Sequence, residues 1–119
     1  MYDVAPLSLG IEVVGKMVET IIPRNTWLPV RKSKQFTTSV DYQTCVQVNV
    51  FEGVQKFVRH NHQIGTVMLD IKPAKKGQEK ITVTFELDAD FQLSVLVEYN
   101  GIQKYVLVEY KSLTEADYK

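Results

Sequence analysis

The strongest constraint in this sequence is a two-residue hydrophobic alternation that returns along the chain. Val46, Val48 and Val50 alternate with Gln47 and Asn49, and Ile81, Val83, Phe85 and Leu87 alternate with Thr82, Thr84 and Glu86. Successive side chains of an extended chain point to opposite faces, so this period specifies strands with one buried and one wetted face. Only Thr114-Glu115-Ala116-Asp117 reads as a helix start, with Thr114 as cap and acids in the first turn.

Taken in order, Leu9–Val14 and Met17–Ile22 form a predicted hairpin about Gly15-Lys16. Pro23–Thr26 is turn chemistry. Trp27–Val30 is a short edge piece, because Pro29 cannot donate to a ladder, and Arg31–Lys34 reads as a basic, solvated loop. Phe36 to Gly53 is predicted as an antiparallel hairpin broken at Asp41–Thr44, with Val46 and Val48 on the face of Phe36. That face fits a core and a binding groove equally well by pattern. Residues 54–63 lack periodicity and read as a loop or irregular edge, and Ile64–Asp70 is a strand. Pro73–Gly77 is a loop, Lys80–Leu87 a strand and Asp88–Asp90 a turn. Leu93, Val95 and Val97 carry the next strand, and Asn100-Gly101 is the clearest hairpin signal. Val-Leu-Val-Glu-Tyr occurs at 95–99 and again at 106–110, as matched strands on either side of that turn require. About eight strands and no long helix predict an all-β, antiparallel two-sheet β-sandwich.

Composition narrows the functions open to it. A chain of 119 residues is about one domain. Its 14 basic and 14 acidic residues cancel, which leaves no positive field for nucleic acid. No apolar run reaches membrane-spanning length, and Met1–Pro6 lacks the basic head and apolar middle of a signal peptide. These features lead us to expect a cytoplasmic setting, with an organelle as the alternative. Cys45, the single cysteine, is expected to be a buried, inert thiol. His60 and His62 lack a companion cluster of ligands and read as solvated loop residues rather than a metal site. Asp88 and Asp90 read as turn acids. With no glycine-rich phosphate loop and no nucleophile elbow, neither a cofactor nor catalysis is expected of this chain.

Specific words in the sequence carry a family resemblance. Asp3-Val4-Ala5-Pro6-Leu7-Ser8-Leu9-Gly10-Ile11-Glu12 is followed by Ile22-Pro23-Arg24-Asn25-Thr26, Leu28-Pro29 and Gln35-Phe36-Thr37-Thr38. Then come Asp41-x-Gln43-x-x-Val46, Val50-Phe51-Glu52-Gly53, Ile64-Gly65, Pro73-Ala74 and Gly77. Ile81-x-Val83-x-Phe85-x-Leu87-Asp88-Ala89-Asp90 completes the set. In this order and spacing the chain resembles the C-terminal peptide-binding domain of the 70-kDa heat-shock (DnaK-type) chaperones. Ile22–Thr26 is also similar to the branch specialised for iron–sulfur assembly.

The resemblance implies a β-sandwich over residues 1–111, and over 112–119 the start of a helical lid whose remainder is missing. It implies a channel that holds a short, extended, Leu-rich segment of an unfolded polypeptide. Ile11, Val13, Phe36, Val48 and Ile81 would line the channel, and Val46 would floor its central pocket. Thr37, Gln43 and Gln47 would lie along the peptide. Val14 and Ser39 would form an arch over it, and Asp41 and Lys76 a latch to the lid. An ATPase domain holding ATP and Mg²⁺ would precede Asp3 in the parent protein, which would work with J-domain co-chaperones and nucleotide-exchange factors. The alternative is a structural or adaptor sandwich of the same family that has lost peptide binding. The sequence departs from the family in three places. The Val14/Ser39 arch is slim, Phe91 replaces the glycine usual after Asp-Ala-Asp and so predicts a different turn, and residues 54–62 replace a more charged stretch.

Overall fold

The alternating runs form eight strands in the computed structural model, which describes residues 3–108. They are β1 (Leu9–Val13), β2 (Met17–Ile22), β3 (Val30–Thr37) and β4 (Cys45–Glu52), then β5 (His62–Asp70), β6 (Lys80–Leu87), β7 (Leu93–Tyr99) and β8 (Ile102–Val108). Two four-stranded antiparallel sheets result, in the orders β2-β1-β4-β5 and β3-β6-β7-β8. The fold is an all-β sandwich. The predicted lid start at 112–119 lies outside the described residues.

Alternation determines which side chains meet between the sheets. Ile81, Val83, Phe85 and Leu87 of β6 and Leu93, Val95 and Val97 of β7 are all buried. They face Leu9 and Ile11 of β1, Val48 and Val50 of β4, and Val67 and Leu69 of β5 within one core cluster. Each such side chain contributes about 1.5–3 kcal/mol by leaving water. Lysines bridge the open flanks between the sheets. Lys34 on β3 donates to Glu19 Oε2 and to the Thr20 carbonyl of β2, each at 2.8 Å. Lys104 on β8 donates to the Met68 carbonyl of β5 at 2.7 Å. The Asn100-Gly101 turn has φ of 47° and 79°, the left-handed pair that matches strand twist.

Several expectations change in the folded chain. Phe36 to Gly53 is not a hairpin: β3 pairs with β6, whereas β4 pairs with β1 and β5. Residues 38–44 instead cross from one sheet to the other, so Phe36 and Val46 approach the shared interior from opposite layers. Arg31–Lys34 is strand rather than loop, paired residue for residue with β6. Its side chains are exposed because β3 is an edge, where basic residues discourage further pairing. Cys45 is exposed, not buried, because it lies on the outward face of β4. Residues 54–63 contain a short 3₁₀ turn at Val58–His60, and His62 and Gln63 already belong to β5. His62 is solvent-exposed as expected but belongs to a strand rather than a loop, and its Nδ1 lies 3.1 Å from Oε1 of Glu52, whose side chain is 1% exposed. The β4–β5 register shifts at Val50/Phe51, and both Phe51 and Glu52 are buried: Glu52 continues the phase of Val48 and Val50, while the burial of Phe51 is not given by the alternation. Asp88 does cap its turn, accepting from the N–H groups of Asp90 and Gln92 at 2.9 Å. Phe91 adopts φ of 62°, so the turn keeps a conformation that favours glycine despite the larger residue.

Gly10 sits at the β1–β2 bulge, where an added Cβ would overlap the Glu19 carbonyl. Gly10→Ala therefore forces the hairpin apart and should lower stability by about 2–3 kcal/mol. Urea denaturation measures this, and an unchanged midpoint would show that the bulge yields freely.

Candidate functional site

At one end of the sandwich the facing side chains leave a cavity of about 330 Å³. That is near the lower end for ligand pockets and suits one short segment rather than a large cofactor. Four strands and two connections build it. Ile11 and Val13 come from β1, Phe36 from β3, Val46 and Val48 from β4, and Ile81 and Val83 from β6. Ile81, Val48 and Ile11 are buried, while Val13, Phe36 and Val46 are half-buried. Val14, in the β1–β2 turn, and Ser39, in the β3–β4 connection, add exposed side chains to the lining.

Polar groups form the rest of the lining. Glu12 Oε1 accepts from Asn49 Nδ2 at 3.2 Å. Asn49 Oδ1 in turn accepts from Gln47 Nε2, Gln63 Nε2 and Thr66 Oγ1, at 3.1, 3.2 and 2.7 Å. This network crosses β1, β4 and β5 and holds the amides of one wall in place. Gln43 is bonded within its own loop: Oε1 accepts from Ser39 N–H at 3.3 Å, and Nε2 donates to the Cys45 carbonyl at 2.7 Å.

The sequence of this cavity-bearing sandwich matches the Hsp70 protein family over residues 1–117. The chain belongs to the Hsp70 family. Heat shock 70 kDa protein 7, chloroplastic, of Arabidopsis thaliana is 48% identical over 105 residues, covering 87% of this chain and 15% of that protein. Stromal 70 kDa heat shock-related protein, chloroplastic, of Pisum sativum is 47% identical over the same shares. Chaperone protein dnaK of Guillardia theta is 45% identical, over 87% of this chain and 17% of that protein. The chain thus spans 15% to 17% of the length of these Hsp70 relatives.

In this Hsp70 chain, the residues singled out along the channel all line the one cavity: Ile11, Val13, Val14, Phe36, Thr37, Ser39, Gln43, Val46, Gln47, Val48 and Ile81. Glu12, Asn49 and Val83 join them and were missed. Val83 carried a signal, being next in phase after Ile81. Glu12 and Asn49 did not, since alternation assigns both to an outward face. Asp41 and Lys76 also meet, but through the backbone: Lys76 N–H donates to Asp41 Oδ1 at 2.9 Å. Among the described residues, no group of three or more His, Cys, Asp or Glu is arranged to hold a metal ion.

The Hsp70 cavity is flanked by the β5–β6 connection, whose base is closed by Tyr99. The phenol donates to Glu79 Oε1 and accepts from Lys72 N–H at 2.8 Å. The Glu79 carboxylate raises the phenol's pKa above its ordinary value of 10.0; burial adds to the rise and the Lys72 amide opposes it. A pKa raised by folding means that the unfolded chain ionises first. This stabilisation is complete below about pH 10 and is lost as pH climbs through the folded value. Thermal melts at increasing alkalinity should therefore fall more steeply for the native chain than for Tyr99→Phe. Parallel curves would remove Tyr99 as a contributor.

Proposed function

We propose that this chain is the peptide-binding module of an Hsp70 chaperone and holds short, extended, apolar segments of unfolded polypeptides. The observation that carries this reading is the cavity itself, lined by apolar side chains with polar groups among them and with Val46 in its lining. An extended segment can insert one apolar side chain while its backbone meets polar groups along the walls. Burying a Leu side chain there yields roughly 1.5–3 kcal/mol. Micromolar binding requires about 8 kcal/mol, so backbone hydrogen bonds and flanking contacts supply the larger part. A site of this kind selects apolar character without demanding one sequence.

Among the described residues, the lining includes no lysine or arginine to meet phosphates, which supports a peptide over a nucleotide as its occupant. ATP with Mg²⁺, J-domain co-chaperones and nucleotide-exchange factors belong in this proposal to other parts of a longer Hsp70. The names of the Arabidopsis and Pisum relatives favour an organellar setting over the cytoplasm expected from sequence.

Val46→Phe should fill the cavity and abolish saturable binding of a labelled Leu-rich heptapeptide, as read by fluorescence anisotropy. Its melting temperature should stay near that of the native chain, because Val46 is only half-buried. A melt lowered by the roughly 1–3 kcal/mol of an overpacked core would instead make Val46 a structural residue. Absence of binding by the native chain would favour a structural or adaptor sandwich.

Val14 and Ser39 are both small for an arch over a bound segment, which implies an open channel and rapid exchange. The double variant Val14→Met/Ser39→Tyr should slow release of the same peptide by roughly threefold or more, mostly through the dissociation rate. A chase with unlabelled peptide measures this, and an unchanged rate would remove the arch from the account.

A further inference from the structure

The residues that border the cavity on its β3–β4 side are not held by a sheet. Residues 38–44 cross between layers, and Ser39 and Gln43 line the cavity from this crossing. Their main chain is bonded instead to the β5–β6 connection. Gly77 N–H donates to the Thr38 carbonyl and to Thr38 Oγ1, both at 3.0 Å. Lys76 N–H donates to Asp41 Oδ1 at 2.9 Å, and Tyr42 N–H to the Ala74 carbonyl at 2.7 Å. Ile71 N–H donates to the Thr44 carbonyl at 3.0 Å. Thr38 is buried by this contact, and Tyr42 is held at φ of 57°.

The supporting connection is itself a loop between Asp70 and Lys80, with Gly77 at φ of 85°. It needs an anchor to the rigid part of the sandwich. Tyr99 supplies one, at the end of β7 and only 6% exposed. Its oxygen binds Lys72 N–H and the Glu79 carboxylate, which are the two ends of the loop. One phenol therefore clasps the loop shut at its base. The loop in turn carries the amides of Lys76 and Gly77 that hold the cavity margin.

We propose that Tyr99 is a positioning residue for the cavity margin: by clasping Lys72 and Glu79 it orders the Ser39–Gln43 crossing and so slows the escape of a bound segment. Tyr99 touches no residue of the lining in these bonds and acts only through the two connected loops. The reach is short and contiguous, from β7 to the loop base, from the loop to Thr38, Asp41 and Tyr42, and from these to Ser39 and Gln43. Glu79 serves as acceptor, so an uncharged amide there retains the hydrogen bond while an alanine does not. This inference rests on the peptide-binding reading for its effect on release, but not for the ordering of the margin.

The experiment compares the native chain with Tyr99→Phe, Glu79→Ala and Glu79→Gln. Val97→Ala serves as a buried control on the same strand that lowers stability without touching the clasp. NMR hydrogen exchange at the amides of Tyr42, Lys76 and Gly77 reads the order of the margin without any ligand. Tyr99→Phe and Glu79→Ala should speed exchange there by roughly tenfold while amides in the centre of β7 keep their protection. Peptide release should quicken by roughly threefold, Glu79→Gln should restore most of both effects, and Val97→Ala should change neither. Loss of melting temperature alone, with exchange at these amides unchanged, would reduce Tyr99 to a structural residue and overturn the proposal. Faster exchange with unaltered release from a native chain that does bind peptide would also overturn it. If the native chain binds no peptide, the peptide-binding reading fails instead, and the exchange data alone decide whether the clasp orders the margin.

Discussion

The contact between the two sheets governs this molecule. Phe85, Val83, Val95 and Val97 are wholly buried from one layer, and Leu9 and Val50 from the other. An isolated four-stranded sheet would leave its apolar face in water, so neither layer is stable without its partner. Every strand takes its orientation from that requirement. The lysine bridges at the two flanks add little energy, since the Lys34–Glu19 pair is about half exposed, but they lie where the layers are otherwise open.

The cavity is a local failure of the same packing. Toward the chain crossings, Ile81, Val48 and Ile11 remain buried, but Phe36, Val46 and Val13 are only half-buried. Close packing is the rule in protein interiors, so an unfilled volume of about 330 Å³ between apolar walls is not what a stable core requires by itself. Its polar margin is organised in advance. Asn49 accepts from three donors while donating to Glu12, which leaves the amides of that wall little freedom. The opposite margin depends on loops supporting loops, and the anchor for those loops is a side chain on the far strand. Order at the cavity therefore comes from two devices, a sheet-borne amide network on one side and a chain of backbone hydrogen bonds on the other.

Two parts of the candidate site were legible in different ways. Alternation alone identified Val46, Val48 and Ile81 as inward-facing but could not distinguish a cavity wall from a core face. The remaining lining residues came from the ordered words that resemble the Hsp70 family, since Thr37, Ser39, Gln43 and Gln47 show no periodic signal of their own. Glu12 and Asn49 escaped both routes because their role arises from hydrogen bonds across strands distant in sequence. Tyr99 and Glu79 escaped for the same reason: they lie 20 positions apart and meet only where β7 passes the base of a loop.

Local sequence determined the strands and the faces they bury. Val-x-Val and Ile-x-Val-x-Phe-x-Leu patterns set inside from outside within a few residues, and Asn100-Gly101 set its own hairpin through backbone conformation. The tertiary structure decided which strand joined which sheet. Phe36 to Gly53 has the pattern of a hairpin, yet β3 and β4 lie in opposite layers, because β3 pairs along its full length with β6 and β4 lies between β1 and β5. Partner choice depends on contacts summed over the whole chain, so period-2 patterning within one segment cannot specify it. The same limit hid the strand character of Arg31–Lys34, which pairs with a strand that only folding brings alongside.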